Sequence, residues 1–385
     1  MTHSVTNSRT GRPCRALVLT GGGARAAYQV GVIKAVAELV PKGAPLPFRV
    51  LCGTSAGAIV GSVLAAHADD FHAGAVIIER FWSHFRVGQV WRNDLRSVAK
   101  AALRWFGALC TGGALVRPPH SLFDNAPLRI TLESHVNFAR IQHSLHRGDL
   151  DALAVIASPY HGARSRAYYM SRDDQGVHPD RWQGGVPTHL TIDHLMASAA
   201  VPFLFPAVHL EDGFYGDGAM RQIEPLAPAI NLGADRVLIV GVRPGQHSAQ
   251  ATMAAPLMEP SFGQIFGFML DTLFMSSMRE DLDRIERDNR LLAVTGTLSS
   301  EIRPIQAMLI EPSEDPGDVV AAHAPFMPFA VRMLMRFLGA ANRGGRLLLS
   351  YLLFEGAYAQ KLIELGYRDA MARRDELQSF LSNEE

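Results

Sequence analysis

Apolar and polar positions fall in blocks along this chain. Short strand-like runs occur at Ala16–Leu19, Phe48–Cys52, Ala152–Ser158, Arg166–Met170, Arg236–Val242 and Arg303–Ile310. Between the first two runs, Ala24–Val40 puts Tyr28, Val32, Val36 and Leu39 on one stripe at helical spacing, and Pro41–Pro47 ends it. Strand, helix and strand in that order make a crossover unit, hence a parallel pair. The second run passes through Gly53–Gly57 into an Ala-rich helix, Ala58–Ala66. Glu79–Leu109 predicts a helical excursion crowded with Phe81, Trp82, Phe85, Trp91, Trp105 and Phe106. Leu122–His135 predicts a helix with Asp124 or Asn125 at its start and Pro127 in its first turn. Ile192–Ala200 reads as a short helix that Pro202 ends. Pro202–Val208 leads to a strand edge and the turn Tyr215–Ala219, and Glu224–Leu232 is helical. Beyond Val242 the character changes. A Pro/Ala/Met-rich connection, Pro244–Pro260, precedes one long amphipathic helix, Phe262–Arg290. Helices around Phe326–Leu338 and Arg346–Leu365 follow, with apolar faces suited to covering a sheet. This divides the chain into a polar tail (1–15), a sheet-bearing domain (16–242) and a mainly helical extension packed on it (243–385).

Composition narrows the class. The 385 residues are 48% hydrophobic and carry 37 basic and 37 acidic side chains. That length supports a large core, and the absent basic excess argues against nucleic acid as a partner. Cys14, Cys52 and Cys110 are scattered, without a Cys-x-x-Cys or Cys/His cluster. Neither a disulfide framework nor a metal site is indicated, no cofactor is expected, and a reducing compartment fits. No apolar signal region opens the chain, and no run of 18 apolar residues suggests a membrane span. The expectation is a cytoplasmic protein, at most peripheral to a membrane.

One pentapeptide carries chemistry. Gly53-Thr54-Ser55-Ala56-Gly57 is a G-x-S-x-G motif between a strand and a helix, where a sharp turn exposes the Ser hydroxyl. A Ser hydroxyl is a weak nucleophile and needs a base and an oxyanion hole. Gly21-Gly22-Gly23 opens the preceding helix, so its N–H groups lack intrahelical partners and can meet a negative oxygen. Arg25, one turn in, can brace that loop or meet an anion. The same glycines, with Ala26, match a dinucleotide-binding pattern loosely. That fingerprint requires an acidic residue at the end of the second strand, where this chain has Cys52-Gly53. A Ser-His-Asp triad in hydrolase order would need His247 or His323, and Ser55 follows only the second strand, too early for that fold. The simpler base is Asp217, in the turn Tyr215-Gly216-Asp217-Gly218-Ala219. A carboxylate takes the proton directly if it reaches the hydroxyl, although Asp-Gly is by itself an ordinary turn.

Together these segments resemble the bacterial patatin-like phospholipases. Gly21-Gly22-Gly23-Ala24-Arg25, continued by Ala27–Val32, resembles the family's glycine-rich loop. Gly53–Gly57 resembles its nucleophile elbow, and Asp217-Gly218-Ala219 its base motif. Ser198-Ala199-Ala200-Val201-Pro202 and Phe205-Pro206 resemble the stretch before that motif. Ala26 departs from the family's usual Gly. The likeness covers about Ala16–Val242. It implies an α/β/α sandwich of three layers around a mostly parallel sheet, followed here by C-terminal helices, and calcium-independent hydrolysis of lipid acyl esters by a Ser55–Asp217 dyad. Gly21, Gly22, Gly23 and Arg25 would form the oxyanion hole, and Gly53, Gly57 and Gly218 would support the turns. An acyltransferase with the same dyad, or an inactive lipid-binding protein, are the alternatives. The aromatics of Glu79–Leu109 are then either core or a cover over an acyl cleft. The Phe/Met-rich stretch Phe262–Met278 and the Arg-rich stretch Arg332–Arg346 either cover the sheet, as such helices usually do, or lie at a lipid interface.

Overall fold

A computed structural model describes residues 13–94, 103, 111, 120–172, 182–245, 259, 261–274, 278–295, 303–323, 329, 332–333, 336 and 345–382. Trp105, Phe106, Cys110, His247 and most of Pro244–Pro260, Phe326–Leu338 and Arg332–Arg346 lie outside the described residues.

Among the described residues, nine strands build one sheet: β1 (Arg15–Leu19), β2 (Val50–Thr54), β3 (Ala152–Pro159), β4 (Arg166–Ser171), β5 (Gly185–Pro187), β6 (Val208–Leu210), β7 (Gly213–Asp217), β8 (Arg236–Val240) and β9 (Gln306–Ile310). Their order is β5-β4-β3-β2-β1-β8-β9, with β7 pairing to the end of β3 and β6 to β7. The pairs from β3 through β9 along this path are parallel, whereas β4, β7 and β6 enter antiparallel. The central strands are apolar on both sides because both faces are covered.

The helices are α1 (Ala27–Leu39), α2 (Ala56–Ala65), α3 (Phe71–Ser83), α4 (Ala126–His135), α5 (Phe138–Arg147), α6 (Ile192–Ser198), α7 (Ala227–Asn231), α8 (Phe262–Leu273), α9 (Met278–Thr295), α10 (Pro316–His323), α11 (Arg346–Leu352), α12 (Gly356–Ala372) and α13 (Arg374–Leu381). Leu17, Leu19, Leu51 and Leu153 point into the larger core, with α1, α2, α3 and α12. Their neighbours Ala16, Val18, Cys52 and Ala154 point the other way, into a smaller core closed by Leu226, Ala229, Met278 and Ile285. The strand period of two therefore yields three layers, α/β/α. No helix among the described residues is long and apolar enough to cross a membrane.

Several elements differ from the sequence reading. The expected excursion from Glu79 is not one helix. α3 ends at Ser83, and a short 3-10 turn at Val87–Gln89 follows. The single helix over Phe262–Arg290 is two, α8 and α9, because the apolar spacing runs on across the junction. Arg346–Leu365 is likewise split between α11 and α12. A Cβ on Gly356, the first residue of α12, would lie 2.3 Å from the Ser83 carbonyl oxygen, so the chain passes too close there for any other residue. Three helices had no counterpart in the reading: α5, α10 and α13.

Candidate active site

β2 runs straight into Ser55, which adopts φ 55° and ψ −125° before α2 begins at Ala56. Positive φ is costly for a residue with a Cβ, and the sharp turn lifts the side chain off the strand end. The turn can close because Gly57 has no side chain. A Cβ there would lie 2.4 Å from the Leu19 carbonyl oxygen. Ser198, at the end of α6, holds the strained backbone. Its hydroxyl accepts from the Ser55 N–H at 2.8 Å and donates to the Ile156 carbonyl at 2.5 Å. Sequence reasoning placed Ser198 in a family-like stretch without this role. Its complete burial shows only in the structure.

The loop after β1 comes next. Gly21 sits so close that a Cβ on it would be 3.2 Å from the Ser55 Cβ. Gly23 has φ 53°, and a Cβ there would strike the Tyr351 carbonyl oxygen at 2.4 Å. Among the described residues, the N–H groups of Gly21, Gly22 and Gly23 donate to no protein acceptor, and neither does that of Ala56. Gln29, fully buried, holds the loop by donating to the Thr20 and Val240 carbonyls.

Arg25 does not join these donors. Its N–H is taken by the Gly22 carbonyl, and its buried guanidinium turns away to the C-terminal helices. There it donates to Ser350 Oγ at 2.8 Å and Tyr351 Oη at 3.2 Å, stacks 4.0 Å over the Tyr351 ring, and lies 3.7 Å from Asp271. Of the two roles read for Arg25, the brace is the one its contacts fit, and the direct anion contact is not.

β7 delivers Asp217 to the same place. Its N–H donates to the Ala200 carbonyl, and the Ala219 N–H donates to Oδ1 at 2.9 Å. Gly218 permits the approach to β3, since a Cβ would meet the Ile156 carbonyl oxygen at 2.2 Å. Ser158 Oγ then donates to the Gly218 carbonyl. The other carboxylate oxygen, Oδ2, is buried and has no close hydrogen-bond partner among the described residues, while the Ser55 hydroxyl lies near enough to act on the carboxyl. Burial pushes the Asp217 carboxyl up to about 7, while the nearby Ser55 hydroxyl and the Ala219 N–H pull it down part of the way. Gly21–Gly23, Ser55 and Asp217, 196 positions apart from first to last, are thus brought together at the ends of β1, β2 and β7.

A small apolar cavity of about 40 Å³ adjoins Ser55, with walls that include Ile59, Phe81, Trp82, Phe85, Leu270 and Phe274. Among the described residues, no histidine lines it. His323 instead bonds the Val319 carbonyl on its own helix. Three of the excursion aromatics, Phe81, Trp82 and Phe85, belong both to the core and to this wall.

A family model described as "Patatin-like phospholipase" matches residues 17–230. The chain is 36% identical over 89 residues to "Patatin-like phospholipase domain-containing protein 7" of Rattus norvegicus, a match covering 23% of this chain and 5% of the rat protein. It is 47% identical over 53 residues to "Lysophospholipase NTE1" of Chaetomium globosum, covering 14% of this chain and 3% of the fungal one. The matched segments are thus a small fraction of either relative's length. Among solved structures, VipD from Legionella pneumophila aligns over 91% of this chain and 67% of its own, at 14% identity and a TM-score of 0.34.

Proposed function

Since the chain belongs to the patatin-like phospholipase family, we propose that it hydrolyses acyl esters of lipids with a Ser55–Asp217 dyad. The observation that carries this reading is Asp217: a fully buried carboxyl that feels the hydroxyl of Ser55, itself in a strained turn, and whose Oδ2 has no other hydrogen-bond partner among the described residues. In the reaction, Ser55 Oγ attacks the ester carbonyl as its proton passes to Asp217. The carbonyl oxygen becomes an oxyanion among the unengaged N–H groups of Gly21, Gly22 and Gly23, with Ala56 available from the start of α2. Asp217 returns the proton to the leaving alcohol, which departs and leaves an acyl-Ser55 ester. Water then gives up a proton to Asp217 as it attacks that ester, and Asp217 restores it to Ser55 as the fatty acid leaves. Arg25 acts as a brace in this scheme, linking the glycine loop to Tyr351 and Asp271. The apolar cavity would take the first part of an acyl chain. At about 40 Å³ it has room for only a few waters.

The test is hydrolysis of a panel of phospholipids, lysophospholipids and soluble esters by wild type and Ser55→Ala, with fluorophosphonate labelling mapped by mass spectrometry. Labelling at Ser55 and loss of hydrolysis in Ser55→Ala are expected. Undiminished hydrolysis by Ser55→Ala would overturn the mechanism.

A further inference from the structure

Resting on the reading of the Ser55 site as a lipid-ester hydrolase, we propose that the outward face of α8 is a docking surface for a phospholipid bilayer. α8 is apolar on both sides. Gly263, Phe266, Gly267 and Leu270 face the core. Phe262, Ile265, Phe268 and Met269 face outward and are 61%, 48%, 68% and 49% exposed. These four follow helical spacing, so they form one stripe along the axis. The helix carries a single charged residue, Asp271, and this is turned inward, where it accepts from Arg243 at 2.7 Å and from Tyr351 Oη at 2.8 Å. The outer stripe is therefore free of charge. A soluble helix covering a sheet has the opposite pattern, polar outside and apolar inside.

The patch continues on both sides of α8. Phe203 is 58% exposed and holds φ 66°, a strained conformation for a bulky residue, with its ring edge-on to Phe266 at 6.5 Å. On the other flank stands Ile223, 62% exposed. Exposed apolar side chains grouped in this way mark an interaction surface.

Its position and its rim identify the occupant. Between α8 and the loop following Asp217 lies an open groove of about 610 Å³, bounded by Ala219, Arg221 and Ile223 on one side and Phe268, Met269 and Leu273 on the other. Leu270 and Phe274 of the same helical segment line the apolar cavity at Ser55. The α8 segment thus stands between the site and a groove large enough for a lipid. The polar end of the groove is basic. Arg221 lines it, and Arg221 and Arg164 together line the adjoining polar groove. Neither arginine makes an ion pair among the described residues, whereas Glu224 nearby is already paired with Arg284 at 2.9 Å. An uncharged apolar face edged by unpaired arginines is complementary to acyl chains below a layer of phosphates. A second copy of this chain would bring the same arginines against each other.

Vesicle sedimentation tests this on the full-length Ser55→Ala protein, which cannot consume the lipid. With vesicles of phosphatidylcholine and phosphatidylglycerol, the further pair Phe262→Ser and Ile265→Ser should lower the partition coefficient about tenfold or more. In the Ser55 background that pair should lose hydrolysis of vesicle lipid while hydrolysing a soluble short-chain ester at the wild-type rate, since neither residue lines the cavity or the groove. Arg221→Gln should weaken binding to these vesicles and leave binding to uncharged glycolipid vesicles unchanged. A conservative probe, Phe268→Trp, should be quenched by brominated lipid beyond the quenching of the native tryptophans. Unchanged partition in the serine pair, absent quenching of Trp at 268, or a sedimentation-velocity dimer that the pair dissolves without altering vesicle binding would each overturn the proposal. Absence of all ester hydrolysis by wild type would sink the dyad reading instead, and the binding assay would still decide the docking surface.

Discussion

A carboxyl group sealed from water keeps its proton to higher pH, and Asp217 is such a group. Its pKa, pushed up to about 7 by burial, sets the pH above which it would serve as the proposed base. The rate kcat/KM on a soluble ester should therefore rise tenfold per pH unit below about 7 and level off above it. A profile flat from pH 5 to 9 would remove Asp217 as the base. The same shift has a stability consequence of definite sign. The folded pKa lies above the unfolded value, so the folded state holds one more proton between about 4 and 7, and stability falls as pH rises through that window. Replacing Asp217 by Asn removes this dependence. Asp217→Asn should be inactive, yet above pH 7 it should gain up to roughly 4 kcal/mol relative to its standing at pH 4. Urea unfolding at both pH values measures it. Ser55 stores strain of a different kind, since its φ of 55° suits glycine better. Ser55→Gly and Ser55→Ala should both be inactive, with the Gly variant the more stable by about 1 kcal/mol in thermal unfolding.

At the scale of elements, the site depends on buried hydroxyls that tie segments together. Ser198 bonds the elbow to β3, and Ser158 bonds β3 to the Asp217 turn. Ser198→Ala leaves the Ser55 N–H and the Ile156 carbonyl facing an apolar methyl. It should cost about 1–3 kcal/mol of stability and lower kcat with little change in KM, because the elbow loosens and the cavity does not change. Equal losses in kcat and stability-corrected binding would instead mean a general core defect. None of this was legible in the sequence, because a hydrogen bond from residue 55 to residue 198 leaves no periodic trace. What was legible is local. β1, β2 and β8 stand out as compact apolar runs, and the elbow and glycine loop as small residues at strand–helix junctions, where the backbone itself demands them. Element ends were less so. The period of α8 carries on into α9, and the break before α12 is set by a long-range approach of Gly356 to Ser83. α5 escaped notice although Asn137 caps its start and Gly148, at φ 79°, ends it, because its residues are mostly polar.

At the scale of the whole molecule, the C-terminal third is joined to the rest more tightly than a change in composition suggests. β9 pairs with β8 along five residues, so the sheet is finished only after residue 306. α12 lies in backbone contact with α1: a Cβ on Gly31 would be 2.1 Å from the Ile363 carbonyl oxygen, and one on Gly366 would be 2.1 Å from that of Tyr28. Past the end of α13, the Ser382 carbonyl accepts from both Arg15 and Arg236, at the starts of β1 and β8. The segments of the proposed site share these attachments. α8 and α11 supply Leu270, Tyr351 and Leu352 to the cavity wall, and Arg25 anchors the glycine loop to Tyr351 and Asp271. A chain ending at Val242 would therefore expose β8 as an apolar edge and uncover the α12-facing side of α1, with Tyr28 in water. Exposed edges of that kind pair with other chains. Such a truncation should be insoluble or lack near-ultraviolet circular dichroism, and should not label with fluorophosphonate. Restoring the missing part as a separate polypeptide, residues 243–385, should recover labelling if the two pieces refold together, because nothing in the pairing of β9 or the notch between α1 and α12 requires a covalent link. A soluble, reactive 1–242 chain would show instead that the sheet and the glycine loop hold themselves, and that the later helices only cover them.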